Sequence, residues 1–218
     1  VCMVDDLTVD RAFLDERHNS ALELTTHGEL AAAGLTAPHM LSNVLAAAAL
    51  ARAFGVAPAQ VREGLANFRL DRHRTEVLAV ANGITWVNDS KATNPHAASA
   101  ALTAYPSVVW IVGGLLKGVD IGDLVAAHSE RLRGAVIIGT DRGEVLAAFT
   151  RPAPHVPVFE VNAPETGLVM PQAVRLAAAI ARVGDAVVLA PAAASMDQFI
   201  DYADRGTRFA SAVTEHLE

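Results

Sequence analysis

The pattern of apolar and polar positions divides the chain into two regions of different character. Up to about Leu35, short strand-like pieces alternate with polar turns, and the opening strand pattern has no obvious partner strand. Residues 37–56 then predict a helix, because apolar residues recur at helical spacing behind Pro38. A second helix is predicted from Pro58 to residue 68.

Beyond residue 70, strand patterns and helix patterns take turns. Alternating residues on either side of Asn82 and Gly83 predict a β-hairpin. After the hairpin we predict strands at 107–114, 134–139, 156–161 and 186–191, and helices at 94–104, 121–132, 142–149, 165–183 and 203–217. Apolar strands that alternate with helices are typical of an α/β fold in which helices cover both faces of a mostly parallel sheet. We expect the domain boundary at residues 68–71.

The composition fits a folded domain and excludes several kinds of partner. Hydrophobic residues form 52% of the 218 residues and aromatic residues only 5%, which suits helices packed on a buried sheet and argues against disorder. The formal net charge of −7 leaves no basic surface for a nucleic acid, so an anionic ligand must be held by a few placed cations or by helix N-termini. The single cysteine, Cys2, excludes an internal disulfide framework and a cysteine zinc cluster, and it fits a reducing cytoplasm.

The sequence predicts neither a membrane span nor a signal peptide. Its longest apolar runs are alanine-rich and are broken by charge well short of the ~20 residues that a transmembrane helix needs. The chain begins at Val1 instead of a methionine, which we interpret as a cut made inside a larger protein. We therefore expect a segment of a larger cytoplasmic protein.

Dense polar stretches follow three of the predicted strands. They are NDSKATN (88–94), GGLLKG (113–118) and APAAASMDQF (190–199). In parallel sheets the carboxyl ends of the strands and the N-termini of the helices converge on one edge, where ligands bind. We therefore expect the three stretches to form one ligand site.

Asp89 and Lys91 flank Ser90 and are expected to project to the same side of an extended turn. A carboxylate there can accept hydrogen bonds from a sugar hydroxyl, and an ammonium group can neutralise a phosphate or an acyl phosphate. The alternative is structural, because Asp, Ser, Thr and Asn are all common helix caps and a single lysine is usually solvated.

Other polar side chains are candidates for holding an anion. Lys117 follows paired glycines whose amides can approach an anion, although such a pair also serves as a tight turn. Arg74, beside His73 at the expected boundary, could clamp a phosphate or could form an interdomain salt bridge. Ser195 is expected at a helix start, which suits a carboxylate.

His39 and Asn43 lie four residues apart on one face of the first predicted helix. Asparagine is a poor metal ligand and no third ligand is evident, so hydrogen bonding to a base or a ribose is the better interpretation. We predict no metal site in these residues.

Taken together, the motifs resemble those of the Mur ligase family. In chain order they are HxxxN, HR before the hairpin, NDSKATN, GGxxKG and APAxASxDQF…RG, and they span essentially the whole chain. Members of this family have an N-terminal uridine-nucleotide domain, a central ATPase domain and a Rossmann-like C-terminal domain. The resemblance implies that residues 1–69 are the end of the central domain and that residues 70–218 are the C-terminal domain.

The motifs are most similar to those of family members that add D-glutamate to UDP-N-acetylmuramoyl-L-alanine in peptidoglycan synthesis. The resemblance implies a monomeric, ATP-dependent ligase with Mg²⁺ as cofactor, in which the amine of D-glutamate attacks an acyl phosphate. It implies Lys91 and Arg74 as catalytic residues; His39, Asn43, His73, Arg74 and Asp89 as ATP-binding residues; and Thr93, Lys117, Ser195 and Tyr202 as D-glutamate-binding residues.

Several family features are absent from these residues. The sequence has no G-x-x-x-x-G-K-[ST] phosphate loop and no counterpart of the family's magnesium carboxylate or carbamylated lysine. We therefore expect the Mg²⁺ ligands outside this sequence and no activity from the chain alone. Met40 replaces an asparagine of the relatives, which weakens a nucleotide contact there, and Ala193 replaces a frequent cysteine, which excludes nucleophilic chemistry there.

Three other functions fit part of these observations. The first is another ligase of the superfamily, such as a folylpolyglutamate synthase or a Mur ligase that adds a different residue, although the latter would carry another motif in place of SxDQF. A second is a dehydrogenase-type or other nucleotide-binding domain, but no G-x-G-x-x-G follows a strand. A third is a non-catalytic interaction module, which would leave the polar loops unexplained.

Overall fold

The computed structural model describes residues 1–218, which form two compact units, residues 1–70 and 71–218. Each unit has its own buried apolar core. No helix in either unit combines the length and the apolarity that crossing a membrane requires.

The first unit combines a three-stranded antiparallel sheet with three helices. Its strands are β1 (Cys2–Val4), β2 (Leu7–Asp10) and β3 (Leu22–Thr26), and its helices are α1 (His27–Ala32), α2 (Pro38–Ala53) and α3 (Pro58–Asn67). Leu24 of β3, Ala48 of α2 and Val61 of α3 form one buried cluster. The two helices predicted from Pro38 and Pro58 are therefore confirmed.

The strands of the first unit have partners that the sequence pattern does not identify. β1 pairs with β2 across a short turn in which Asp5 has a φ of 50°, and β2 pairs with β3. The short helix α1 is also absent from the predicted elements; a capping box between Thr26 and Glu29 holds its N-terminus. A strand pattern specifies which side chains share a face, whereas the partner is set by contacts that are distant in sequence.

The second unit is a six-stranded sheet with strand order β4-β5-β9-β6-β7-β8. The strands are β4 (Glu76–Ala81), β5 (Ile84–Asn88), β6 (Val108–Gly113), β7 (Leu132–Ile138), β8 (Val158–Glu160) and β9 (Ala186–Leu189). The helices are α4 (Pro95–Thr103), α5 (Gly122–His128, followed by a 3₁₀ turn at Ser129–Arg131), α6 (Gly143–Thr150), α7 (Thr166–Ile180) and α8 (Tyr202–Leu217).

Only the first two strands of this sheet run antiparallel. β4 and β5 form the predicted hairpin, and the other strand pairs are parallel. The hairpin turns at Asn82 and Gly83, whose φ angles of 53° and 74° are those that a type I′ turn requires. The predicted α/β fold with a mostly parallel sheet is therefore confirmed.

Helices cover both faces of the sheet, as predicted. On one face Trp110 of β6 belongs to a buried cluster with residues of α4, α5 and α6. On the other face its neighbours Val109 and Ile111 pack with residues of α7 and α8. All six residues of β6 are buried. This burial on both faces explains why the strand is a continuous apolar run in the sequence.

The carboxyl ends of β5, β9 and β6 are adjacent at one edge of the sheet, because these strands are parallel neighbours. The three polar stretches follow these strands. We call them loop A (residues 89–94, after β5), loop B (residues 114–118, after β6) and loop C (residues 190–201, after β9). The expectation that the three stretches lie together is confirmed.

Candidate functional site

Backbone hydrogen bonds join the three loops into one surface. The amide of Ala192 in loop C donates to the carbonyl oxygen of Ala92 in loop A at 2.9 Å. Leu115 in loop B and Ala194 in loop C exchange two such bonds, of 2.9 and 3.1 Å. Side chains from all three loops are therefore held at fixed relative positions.

The paired glycines where β6 passes into loop B are required by close packing. Gly113 and Gly114 have φ angles of 115° and 126°, which side-chain-bearing residues rarely adopt. A Cβ on Gly113 would lie 2.2 Å from the carbonyl oxygen of Ile138, and a Cβ on Gly114 would lie 2.4 Å from that of Ala194. The glycines therefore let the strand end approach β7 and loop C, which supports the structural interpretation of this pair.

Asp89 is a buried carboxylate at the start of loop A, with 8% of its surface exposed. Its Oδ1 accepts a hydrogen bond from the amide of Thr75 at 3.1 Å. Burial raises the pKa of Asp89 to about 6, although the Thr75 amide and the charge of Arg74 act in the opposite direction. A carboxylate in this setting changes its charge near pH 6 and, when ionised, can accept further hydrogen bonds.

Asp89 does not cap the helix that follows it. The cap of α4 is Asn94, whose side chain accepts a hydrogen bond from the amide of Ala97 at 3.0 Å. Capping by Asp89 is therefore wrong, whereas another residue of the same polar stretch, Asn94, does cap the helix.

Lys91 is half-buried and is held by α8. Its Nζ donates to the hydroxyl oxygen of Tyr202 at 3.1 Å and lies 4.7 Å from the centre of the Tyr202 ring. This is a hydrogen bond combined with a cation–π contact. The alternative of a freely solvated lysine is therefore wrong, and the structure brings together a predicted catalytic residue and a predicted D-glutamate-binding residue.

Arg74 is an exposed arginine near the edge of the second unit. Its Nε lies 3.6 Å from Oδ2 of Asp71, and 46% of its side chain is exposed. Because both residues belong to residues 71–218, this ion pair is local and is not the interdomain salt bridge considered from the sequence. The weak surface pair leaves the guanidinium free to meet an anion.

His73 is buried between β5 and α8, with 5% of its surface exposed. Its Nδ1 lies 2.9 Å from Nδ2 of Asn88, and burial lowers the pKa of His73. A Cβ on Gly206 would lie 2.3 Å from His73 Nδ1, so the ring occupies the space that this glycine leaves open. The structure thus places the ring of His73 in the interior of the unit, where it contacts Asn88 at the end of β5, directly before loop A.

Ser195 lies in a turn of loop C and not at a helix start. Its carbonyl oxygen accepts hydrogen bonds from the amides of Gln198 and Phe199, at 3.1 and 2.9 Å. Helix α8 begins at Tyr202, and its cap is Asp201, whose side chain accepts from the amide of Asp204 at 2.7 Å. The predicted helix start at Ser195 is therefore wrong, because Asp201 provides the cap.

Lys117 lies in loop B and Thr93 in loop A. Lys117 is exposed, has a φ of 56°, and lines a cavity of about 220 Å³ together with Asp197 and Glu144. Thr93 is half-buried in loop A, and its amide donates to the carbonyl oxygen of Lys91 at 2.8 Å. The backbone conformation of loop A therefore fixes the position from which the Thr93 side chain extends.

His39 and Asn43 belong to the first unit, one turn apart near the start of α2. His39 is half-buried, its Nδ1 is buried without a hydrogen-bond partner, and burial lowers its pKa. Asn43 is exposed. A buried ring nitrogen without a partner and an exposed amide one turn away are both able to accept or donate further hydrogen bonds.

Arg205 is the residue of this region to which the sequence assigns no role. It is completely buried in α8, and its guanidinium donates to Ser90 in loop A and to Ala193 in loop C. The available signal is the Arg205–Gly206 pair that ends the APAxASxDQF…RG motif. Nothing in the local pattern indicates that this arginine is buried.

The structure offers no fit for a magnesium ion. No group of three His, Cys, Asp or Glu side chains in residues 1–218 is arranged to hold a metal ion. Asp197 and Glu144, which line the cavity beside loop B, are not part of such a group. We therefore derive no chemical step through a metal from these residues.

Comparison with known proteins defines the class to which this fold and site belong. The family model of the Mur ligase, glutamate ligase domain matches residues 73–193. The chain therefore belongs to the Mur ligase family.

Two curated relatives show which members of the family the sequence is similar to. The chain is 63% identical over 215 residues to the UDP-N-acetylmuramoylalanine–D-glutamate ligase of Leifsonia xyli subsp. xyli, covering 99% of this chain and 42% of that protein. It is 52% identical over 211 residues to the ligase of the same name from Thermobifida fusca, covering 97% of this chain and 44% of that protein. The chain thus spans less than half the length of these relatives.

Solved structures of other ligases share the fold. The crystal structure of UDP-N-acetylmuramate-alanine ligase MurC from Thermotoga maritima matches with a TM-score of 0.58 at 15% identity, over 93% of this chain and 42% of that one. MurF from Acinetobacter baumannii matches with a TM-score of 0.56 at 16% identity, over 91% and 40%. At these identities the likeness concerns the fold alone.

Proposed function

We propose that this chain is the C-terminal part of an ATP-dependent ligase that adds D-glutamate to UDP-N-acetylmuramoyl-L-alanine in peptidoglycan synthesis. One observation carries the proposal: Lys91, Lys117 and Ser195 lie on three loops that meet at one sheet edge. Membership of the Mur ligase family and the names of relatives up to 63% identical support it.

The proposed reaction joins an amine to a carboxylate through an acyl phosphate. The carboxylate of the muramoyl-alanine substrate takes the terminal phosphoryl group of ATP. The amine of D-glutamate then attacks the acyl carbon, and phosphate leaves as the amide forms. Negative charge on phosphate oxygens changes position in both steps, so cations placed at these oxygens lower the barrier.

Loop A supplies Lys91 as a cation for the phosphate oxygens. We assign Lys91 to the acyl phosphate, because its ammonium is held at a defined position by Tyr202. Arg74 is exposed and weakly paired, and it is assigned to the phosphates of ATP. Asp89 is assigned to a ribose hydroxyl, since its buried carboxylate can accept a hydrogen bond. His73, which we expected beside the adenine, is assigned a supporting position beneath loop A.

D-glutamate carries two carboxylates, so its site requires two sets of donors. Lys117 beside the cavity of about 220 Å³ is suited to one carboxylate. Tyr202, which we expected at D-glutamate, is assigned to the orientation of Lys91. Ser195 and the hydroxyl of Thr93 are further donors on the neighbouring loops. These groups would orient the amine for attack, and orientation of this kind is a large part of catalysis.

The remaining parts of the proposed enzyme lie outside these residues. The phosphate loop and the Mg²⁺ ligands are assigned to the portion of the relatives that this chain does not span. His39 and Asn43 are proposed to contact the adenine or ribose of ATP from the first unit, which is proposed to be the end of the central ATPase domain. The cytoplasmic location and the monomeric state stay predictions.

The test is a phosphate-release assay on the full-length enzyme with each substrate omitted in turn. We expect release to require UDP-N-acetylmuramoyl-L-alanine and D-glutamate together, with ATP and Mg²⁺ present. L-lysine, meso-diaminopimelate and a folate polyglutamate acceptor serve as controls for the other ligases of the superfamily. Preference for one of these controls would overturn the proposal. The 218-residue chain alone is expected to release no phosphate.

A further inference from the structure

Arg205 of α8 is a cation without exposed surface. Arginine is rarely buried completely unless its donors are satisfied, because removing a charge from water is costly. Arg208, one turn later on the same helix, behaves differently: 40% of its side chain is exposed, and it pairs with Asp204. The burial of Arg205 is therefore specific to its position and needs its own explanation.

The guanidinium of Arg205 is satisfied by two of the loops that form the site. Its Nε donates to Ser90 Oγ at 2.9 Å, and its Nη2 donates to the carbonyl oxygen of Ser90 at 2.8 Å. Its Nη1 donates to the carbonyl oxygen of Ala193 at 3.2 Å. One rigid planar group thus holds loop A with two bonds and loop C with a third.

The three acceptors of Arg205 carry no charge, so the cation is not neutralised by its direct partners. Burial lowers the pKa of Arg205 to about 10, although the charge of Asp197 acts in the opposite direction. The group therefore remains a cation at neutral pH. A buried cation bound only by neutral acceptors is a poor way to gain stability, which points to a role in function.

The two anchored residues stand next to the proposed reactive groups. Ser90 lies between Asp89 and Lys91, and its Oγ also donates to the carbonyl oxygen of Tyr202 at 2.7 Å. Ala193 precedes Ser195 by two residues in loop C. A shift of Arg205 would therefore move the group proposed for the acyl phosphate relative to the group proposed for D-glutamate.

We propose that Arg205 is a positioning residue that sets the spacing between loops A and C, and hence between Lys91 and Ser195, for the ligation reaction. This role rests on the proposed function, because it aligns the group proposed for the acyl phosphate with the group proposed for D-glutamate. Because Arg205 has no exposed surface, we assign it no contact with either substrate. Its effect on rate is large because a displacement of about 1 Å in a reacting pair can cost on the order of a hundredfold.

The kinetic test uses Arg205→Lys, Ser90→Ala and the control Arg208→Lys in the full-length enzyme. Lysine keeps the charge but has no planar fork, so it cannot bind Ser90 and Ala193 together. We expect kcat to fall about tenfold or more in Arg205→Lys and roughly threefold to tenfold in Ser90→Ala, with the KM for ATP within about threefold of wild type. The control is expected to keep kcat within about twofold, since its ion pair is exposed.

A second measurement detects the loops directly and does not depend on activity. Hydrogen exchange of the amides of Lys91, bonded to His73, and of Ala192, bonded to Ala92, reports on loops A and C. We expect both amides to exchange faster in Arg205→Lys and in Ser90→Ala, and to be unchanged in Arg208→Lys.

Each outcome decides for or against the proposal. A lower melting temperature with wild-type kcat and exchange in the folded enzyme would mean that Arg205 is merely structural. If Arg205→Lys does not fold, Ser90→Ala decides, because it removes one acceptor of the guanidinium and, besides that, only the bond from Ser90 Oγ to the Tyr202 carbonyl oxygen. Lack of D-glutamate ligation by the wild-type enzyme would overturn the proposed function instead, and the exchange measurement would still decide whether Arg205 joins the loops.

Discussion

Lys91 and Tyr202 are joined by two contacts although 111 positions separate them in the sequence. The ammonium of Lys91 lies 3.1 Å from the Tyr202 hydroxyl oxygen and 4.7 Å from the centre of the ring. Tyr202 is the first residue of α8, the helix that also carries Arg205. The proposed catalytic lysine is therefore oriented by a helix that follows the last strand of the sheet.

Tyr202→Phe removes the hydroxyl and keeps the ring. A hydrogen bond to a charged group contributes about 1.5 kcal/mol at a half-buried site, so we expect kcat of the full-length enzyme to fall about tenfold. The KM for D-glutamate should change less than about threefold, and Tyr202→Leu should lower kcat further by removing the cation–π contact. Steady-state kinetics separates the two roles of Tyr202: an increase in the KM for D-glutamate at constant kcat would show that the hydroxyl binds D-glutamate and does not act through Lys91.

Lys117→Ala should raise the KM for D-glutamate roughly tenfold to a hundredfold, the value of a charge-assisted bond of ~1.5–3 kcal/mol. Because Lys117 has a φ of 56°, lysine and alanine are similarly strained there, and the melting temperature should hardly change. Lys117→Gln keeps most of the side-chain length without the charge and serves as the matched variant. Substrate titrations of wild type and the two variants test this expectation. Equal increases in the KM for ATP and the KM for D-glutamate would contradict it.

Lys91→Ala should lower kcat with little loss of stability. The lysine is half-buried, and its contacts to Tyr202 contribute about 1 kcal/mol to folding. Its proposed partner is the charge that develops at the acyl phosphate, so most of its effect should appear in turnover. Thermal melting beside steady-state kinetics separates the two effects. Wild-type turnover from the variant would remove Lys91 from the catalytic residues.

Asp89→Asn should change the pH dependence of stability. Burial raises the pKa of Asp89 from 3.8 to about 6, so the folded state binds this proton more tightly than the unfolded chain does. The folded state is therefore favoured by protonated Asp89 at low pH, and this contribution is lost as the pH rises from about 4 to about 6. The variant should match wild type near pH 4 and be more stable above pH 6, by at most about 3 kcal/mol.

Denaturant unfolding between pH 4 and pH 7.5 measures this difference. Asp71→Asn provides the control, because 76% of the Asp71 side chain is exposed. A variant of Asp89 that is less stable than wild type at every pH would show that the carboxylate stabilises the fold through its bond from Thr75. In the full-length enzyme Asp89→Asn should mainly raise the KM for ATP.

Gly206→Ala should destabilise the second unit, because the new Cβ would lie 2.3 Å from Nδ1 of His73. Overpacking of this kind costs typically about 1–3 kcal/mol. Gly167→Ala in α7 is the matched control, since nothing lies within 4 Å of its Cβ and alanine is the better helix former. Chemical denaturation should show lower stability for the first variant and equal or higher stability for the second. Equal stability of both would mean that His73 moves aside without cost.

In the second unit, the sequence predicts those features of the fold that depend on contacts between neighbouring residues. The turn at Asn82 and Gly83 and the apolar run of β6 are set by neighbouring residues, so pattern and propensity predict them. The partners of β1, β2 and β3 are not predicted, because pairing depends on residues that come together only in the folded chain. Ser195 and Asp201 are both possible caps by residue type, and only the turn at 195–199 selects Asp201.

The sequence by itself determined the α/β class, the order of the elements in the second unit and the three loops on which Asp89, Lys117 and Ser195 lie, because these features follow from local periodicity and from motif spacing. The tertiary structure alone decided the state of individual side chains. The contact of Lys91 with Tyr202 and the position of Arg205 between two loops depend on residues of α8. The burial of Asp89 at the end of β5 likewise exists only in the folded chain. A charged residue in a sequence carries no mark of its surroundings, since the free energy of burying it depends on partners that are distant in the chain.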